Sequence, residues 1–169
     1  VYGNAIHLEA REIDRLNEVG DSLIHCPTSN TFIGSGLFDI VRLASRSTKV
    51  GLATDIGGGS SFSMLRTMAC AYEIAQLRGI ALHPAQLMWL ATQGSAKALH
   101  LDDQIGSLTA GMAADLVVLD LSSTPAISQR SKRANDIWEE IFPTIMMGDD
   151  RAIVATHVAG EKAYQRGVI

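Results

Sequence analysis

The amino-acid sequence predicts an α/β fold in which short parallel strands are covered by helices. Three observations carry that expectation. Short apolar runs alternate with stretches of helical periodicity in the order strand, helix, strand, helix, strand. Each connection is long enough for a βαβ crossover and too long for a hairpin. The third apolar run, which starts at Val50, ends abruptly in Asp55, with Gly57, Gly58 and Gly59 just beyond it. A carboxylate at the tip of a buried strand, beside backbone that lets a ligand come close, is how α/β barrels build their sites. Asp next to glycine is also ordinary turn chemistry, and this stretch alone leaves both readings open.

In chain order, Val1–Leu8 reads as the first strand. The segment 9–19 carries Ile13, Leu16 and Val19 at helical spacing and is stopped by Gly20. Residues 22–27 form a second short apolar strand ended by Pro27, and Thr28–Thr31 with Gly34–Gly36 reads as loop. Leu37, Ile40, Val41 and Ala44 share a helical face, and Val50–Thr54 is the third strand. Residues 62–78 are the clearest helix: Met64, Leu65, Met68, Tyr72 and Ala75 form one stripe, Ser61 or Ser63 caps it, and Gly79 closes it. A methionine-rich stripe of this kind belongs to a core. Pro84 opens another helix that stops near Gly94, and a short helix follows over 95–99.

The character changes after His100. Residues 105–115 are turn-rich, Leu116–Asp120 is a compact strand, and the polar stretch 122–133 reads as a mobile loop. Residues 135–147 return to a helix that Pro143 should kink or divide. A turn at 148–151 leads to a closing hairpin, 153–158 with 162–164. The expected division is 1–104 and 105–169.

The chain has 169 residues, of which 47% are hydrophobic and 19% charged, a globular composition. A formal net charge of −4 gives no electrostatic reason to expect nucleic acid as a partner. Cys26 and Cys70 provide no disulfide framework and read as reduced thiols of a cytoplasmic protein. No apolar run is long enough to span a bilayer, so no membrane is expected as a partner. Because the chain opens on Val1 inside an apparent strand, an upstream portion is expected to precede it.

The histidines are His7, His25, His83, His100 and His157, with no HxH or HExxH pair among them. His25 ends the second strand, on the same edge as Asp55 if the strands are parallel, and is the histidine best placed to face a site. A hydrogen-bonded structural histidine is the weightier alternative. His7 is a weaker candidate, and His83 reads as a neighbour of a helix cap. Cys26 has no base partner in sequence and reads as a buried structural thiol. The glycines at 57–59 lack the lysine of a phosphate loop and read as a loop requiring positive φ. The pairs Asp102–Asp103 and Asp149–Asp150 read as solvated turns.

Several stretches together resemble the C-terminal portion of the guanine deaminases, in the amidohydrolase superfamily. They are the run from His25 to Asn30 (HCPTSN), Gly34–Leu37, Gly51–Asp55 with Ser61–Arg66, Ile105–Leu108 with Gly111 and the ADLVV run from Ala114, and Met147–Arg151. The HCPTSN, TD and ADLVV elements occur in many amidohydrolases, whereas SFSMLR and MGDDR point more narrowly at guanine deaminases. The resemblance implies a partial TIM (β/α)8 barrel, with the three strands above as strands 6–8, and part of a composite β-sandwich. It implies zinc-dependent hydrolytic deamination of guanine, a small purine, to xanthine and ammonia.

Asp55 matches the family's metal-binding, proton-shuttling aspartate. Asn4 stands where the family has a sixth-strand histidine; an amide donates and accepts hydrogen bonds but does not titrate. The family's HxH pair, fifth-strand histidine and glutamate lie upstream of the matched positions, so the remaining Zn2+ ligands are expected outside this chain. An unclosed barrel leaves open strand edges, so a homo-oligomer or an upstream portion of the same enzyme is the expected partner. The alternatives are an amidohydrolase acting on another aminated heterocycle, and a catalytically silent chain that only associates with another.

Overall fold

The computed structural model describes residues 1–44, 46 and 48–167. The side chain of Ala44, expected on the face that begins at Leu37, and the last two residues of the 105–169 segment lie outside that set.

Three short parallel strands form the first sheet: β1 (Tyr2–Gly3), β2 (Ser22–His25) and β3 (Lys49–Leu52), in the order β1-β2-β3. Tyr2 pairs with Leu23, and Leu23 in turn with Val50, so all three strands end on the same edge. The strand expected over 1–8 is only two residues long. Asn4 and Ala5 adopt positive φ (69° and 46°), which turns the chain out of the sheet.

Helix α1 (Ala10–Glu18) follows, its first turn capped by Glu12, whose carboxylate accepts the Glu9 amide at 2.7 Å. Ile13 faces the core and is fully buried, and Gly20, at φ 74°, ends the element as expected. Residues 28–31, expected as loop, are instead the body of α2 (Pro27–Phe32). Pro27 occupies the first helical turn, where its missing N–H and fixed φ favour helix, so the proline that ends the strand also starts the helix. α3 (Ile40–Ala44) completes the second crossover.

α4 (Met64–Leu77) starts at Ser63, whose hydroxyl accepts the Arg66 amide, and buries Leu65, Met68 and Ala75 of the expected stripe. α5 (Pro84–Ala91) is capped by His83 itself, whose Nδ1 accepts the Ala85 amide at 3.2 Å. Gly94 does not stop α5. It lies inside α6 (Gln93–Ala98), where any side chain would meet the Trp89 ring at 2.8 Å, so glycine is there for close packing.

The second sheet is antiparallel, in the order β4-β5-β6: β4 (Leu116–Leu119), β5 (Ile153–Val158) and β6 (Glu161–Gln165). Asp115 secures the hairpin turn by accepting the Ala159 amide at 2.7 Å. The stretch 122–133 is not a mobile loop: Thr124 caps α7 (Pro125–Ser131), and Ile127 is fully buried. α8 (Ile137–Met147) runs through Pro143 as one helix, losing a single backbone bond there. Its inner face joins the main core, where Ile145 and Ala152 cluster with Leu23, Val50, Leu65 and Leu87. No helix among the described residues is long and apolar enough to cross a membrane.

Candidate active site

Where the first sheet ends, three side chains follow its strands: Asn4 after β1, Cys26 after β2 and Asp55 three residues beyond β3. Parallel pairing in a common register brings the three strand ends onto one edge. The Cys26 thiol, itself 3% exposed, lies between the other two. Burial pushes its pKa up, the Asn4 backbone N–H opposes that shift, and the negative charge of Asp55 adds to it. A thiol held protonated in this way is a packing group and not a nucleophile, as the sequence indicates.

Asn4 is half-buried. Its N–H donates to the Ile24 carbonyl at 3.0 Å, and its Oδ1 accepts Nδ2 of Asn30 at 2.7 Å. Asp55 is exposed and sits at φ 48°, a left-handed conformation, with its Oδ2 3.6 Å from where a Cβ on Gly58 would lie.

The glycine run explains that placement. Only Gly57 needs positive φ (115°); Gly58 and Gly59 are there because of close approach. A Cβ on Gly58 would lie 2.8 Å from Ser29 Oγ, and one on Gly59 would collide with the Thr54 carbonyl. The loop folds back so that the Gly59 amide donates to the Asp55 carbonyl at 2.6 Å. Thr28, at the start of α2, donates its hydroxyl to the Thr54 carbonyl at 3.1 Å. The chain around Asp55 is thus clamped between a glycine turn and the first turn of α2.

His25 does not face the site. It is 2% exposed, stacked on Phe38 with ring centroids 4.4 Å apart and planes 15° apart. Burial pulls its pKa down to about 3, so it is neutral. It is the buried structural histidine of the alternative reading, although its Nδ1 has no hydrogen-bond partner among the described residues. His7 is exposed and binds the Ser35 carbonyl through Nε2 at 2.9 Å. His100 is exposed in the turn after α6, and His157 lies in β5, opposite Leu116 of β4.

Among the described residues, no three His, Cys, Asp or Glu side chains converge. Asp55 supplies one oxygen donor group, whereas zinc takes three or four ligands. The residues present therefore do not by themselves fit a zinc ion.

Asn30, fully buried, and Ser35 escape the sequence reading, in which both sit inside loop chemistry. A signal for Asn30 is nonetheless available: proline at a helix start makes the three residues after Pro27 a first helical turn and not a surface loop.

Residues 4–163 match the Amidohydrolase family. The chain belongs to this family. As an amidohydrolase it is 42% identical over 166 residues to the guanine deaminase of Escherichia coli strain K12, a match that covers 98% of this chain and 38% of that protein. The solved E. coli guanine deaminase superposes with a TM-score of 0.94 at 41% identity, over 97% of this chain and 38% of that one. A guanine deaminase from Bradyrhizobium japonicum gives a TM-score of 0.91 at 28% identity, over 97% and 42% of the two chains. An adenosine deaminase from Xanthomonas campestris, solved with bound zinc, gives 0.81 at 26% identity, over 99% and 37%. This amidohydrolase chain thus spans about two fifths of the length of the relatives it matches.

Proposed function

We propose that this chain serves in the hydrolytic deamination of guanine to xanthine and ammonia. The observation that carries the reading is the 42% identity to a guanine deaminase, sustained over 98% of the chain. Asp55 is the group that handles protons. Its exposed carboxylate accepts a proton from the attacking water and returns it to the departing amino group, so the same oxygen acts first as base and then as acid. Asn4 shares the edge and contributes hydrogen bonding without a change of charge.

Asp55 is also offered as one donor to a zinc ion whose other donors come from outside these residues. The strands β1–β3 are then strands 6–8 of a (β/α)8 barrel formed by residues 1–104, and 105–169 belongs to a β-sandwich. Two features support closure by an upstream portion of the same enzyme. The match covers only 38% of the E. coli protein. A groove of about 670 Å³, lined by Val41, Val50, Leu82 and Trp89, leaves the start of β3 open to a further strand, short of Leu52, whose backbone Ser95 engages.

The test is xanthine formation from guanine by the natural gene product that carries this chain, followed by ultraviolet absorbance. Asp55→Asn keeps shape and loses the base, so kcat should fall by about 10²–10⁴-fold with the fold intact. Unchanged turnover in Asp55→Asn removes Asp55 from the mechanism. The likeness to the X. campestris adenosine deaminase supports a second reading, another aminated heterocycle as substrate. Turnover of adenosine with none of guanine would establish it.

A further inference from the structure

We propose that Asn30 is a positioning residue that sets the Asn4 amide, so that Asn4 presents a hydrogen-bond donor, and not an acceptor, at the open end of the sheet. The inference rests on the reading of Asn4 as a site residue and adds which atom it offers.

The argument follows a chain of hydrogen bonds that begins at Ser35. Its hydroxyl has one hydrogen, which is directed at the Asn30 carbonyl oxygen 3.5 Å away, while the Ser35 amide donates to the same oxygen at 3.0 Å. Ser35 Oγ in turn accepts Nδ2 of Asn30 at 3.1 Å. Asn30 thus turns its NH2, and not its oxygen, toward Ser35. The second hydrogen of that NH2 goes to Asn4 Oδ1 at 2.7 Å. Asn4 spends its oxygen inward, and its NH2 is the end that remains for the cleft.

Two further observations favour this orientation. Asn30 Oδ1 is buried without a partner among the described residues. Turning the Asn30 amide over would instead strand an NH2 with two donors, and an orphaned carbonyl is the more readily tolerated of the two. The Ser35 segment is also held from the other side, because the His7 ring binds the Ser35 carbonyl at 2.9 Å. That contact anchors the start of the relay to the segment following β1, which carries Asn4 itself.

The chemical consequence is a complementary pair. An ionised Asp55 only accepts, and Asn4 so oriented only donates. A purine ring presents acceptor atoms, its carbonyl oxygen and ring nitrogens, beside donor N–H groups, and such an edge meets both. An Asn4 turned the other way would set a second acceptor on the same sheet edge and leave the acceptor atoms of the purine without a donor.

The test reads the side-chain amide protons of the 169-residue chain by 15N–1H NMR. The expected result is that the Asn4 NH2 exchanges with water at least about tenfold faster than the buried NH2 of Asn30. Ser35→Ala removes the hydroxyl that commits Asn30, so the Asn4 NH2 resonances should shift or double as both orientations become populated. Ser35→Thr, which keeps the hydroxyl, should restore the single set. A packing role for Asn30 alone would move the unfolding midpoint without moving the Asn4 amide signals. Equal protection of the two NH2 groups, or Asn4 signals unmoved by Ser35→Ala, overturns the proposal. These readings need no turnover, so failure to deaminate guanine would refute the functional reading while leaving this one to stand or fall by itself.

Discussion

Removing the Ser95 hydroxyl should loosen the strand that leads to Asp55. Ser95 Oγ accepts the Leu52 amide at 3.0 Å and lies 2.7 Å from the Leu90 carbonyl and 3.2 Å from that of Leu52. One hydroxyl thus stands in for a neighbouring strand at the last residue of β3 and ties α6 to it. Leu52 is only 4% exposed, so in Ser95→Ala its amide has little water to turn to. A buried amide left unpaired costs about 1–3 kcal/mol. Taking the middle of that range, and about 2–4 °C per kcal/mol for a chain of this size, the unfolding midpoint should fall by about 4–8 °C. Calorimetry measures this directly, with Lys97→Ala on the exposed side of α6 as a control expected to stay within about 0.5 kcal/mol. The Leu52 amide should also exchange faster. A midpoint within about 1 °C of the unaltered chain would mean that the amide finds another partner, and the account of Ser95 as the cover of this strand edge would fail.

The buried His25 makes stability depend on pH. Its folded pKa of about 3 lies below the ordinary 6.5, so the unfolded chain takes up the proton first as pH falls. The contribution is complete above pH 6.5 and is lost progressively on acidification toward the folded value. Urea titrations should show a slope approaching about 1.4 kcal/mol per pH unit that is absent from His25→Gln; equal slopes in the two proteins would contradict the burial. Gly59→Ala should destabilise by about 1–3 kcal/mol, because the added methyl meets the Thr54 carbonyl, and unfolding curves should place the loss there and not in a control such as Gly3→Ala, where the added methyl meets nothing closer than the Cys26 sulfur at 3.8 Å. Ile127→Ala should cost about 2–5 kcal/mol by leaving a cavity under α7; a loss below 0.5 kcal/mol, as at a surface position, would show that the helix is not docked.

The parallel sheet was legible because its signals are local: apolar runs, spacing and the terminal Asp55. Helix ends marked by serine, proline and glycine were legible for the same reason, as Ser63, Pro84 and Gly79 show. Two helices were not. α2 and α7 are short and polar in sequence, built from residues that also favour turns, and only burial of Asn30 and Ile127 against the rest of the protein decides between the two. The shortness of β1 depends on the left-handed turn at Asn4 and Ala5, for which the sequence carries no glycine. Gly94 was misread because a glycine that ends a helix and one that admits a neighbouring ring look alike until Trp89 is in place. In the candidate site Asp55 could be anticipated beyond a strand end, whereas Asn4 and Cys26 fell inside the strands expected over 1–8 and 22–27, and whether His25 points into the site or under it could not be told, because strand alternation is too short here to choose a face. The polar relay through Asn30 and Ser35 depends on side chains meeting across a crossover, which no periodicity encodes.

The seating of α8 bears on how the chain comes apart. Its Ile145, with Ala152 just after it, shares one continuous core with Ile13, Leu23 and Val50, although more than ninety residues of sequence separate them. A protease nick between the two sheets would therefore not release two folded halves. The pieces should stay together in native buffer and separate only in denaturant, and heating should melt both sheets in a single cooperative transition.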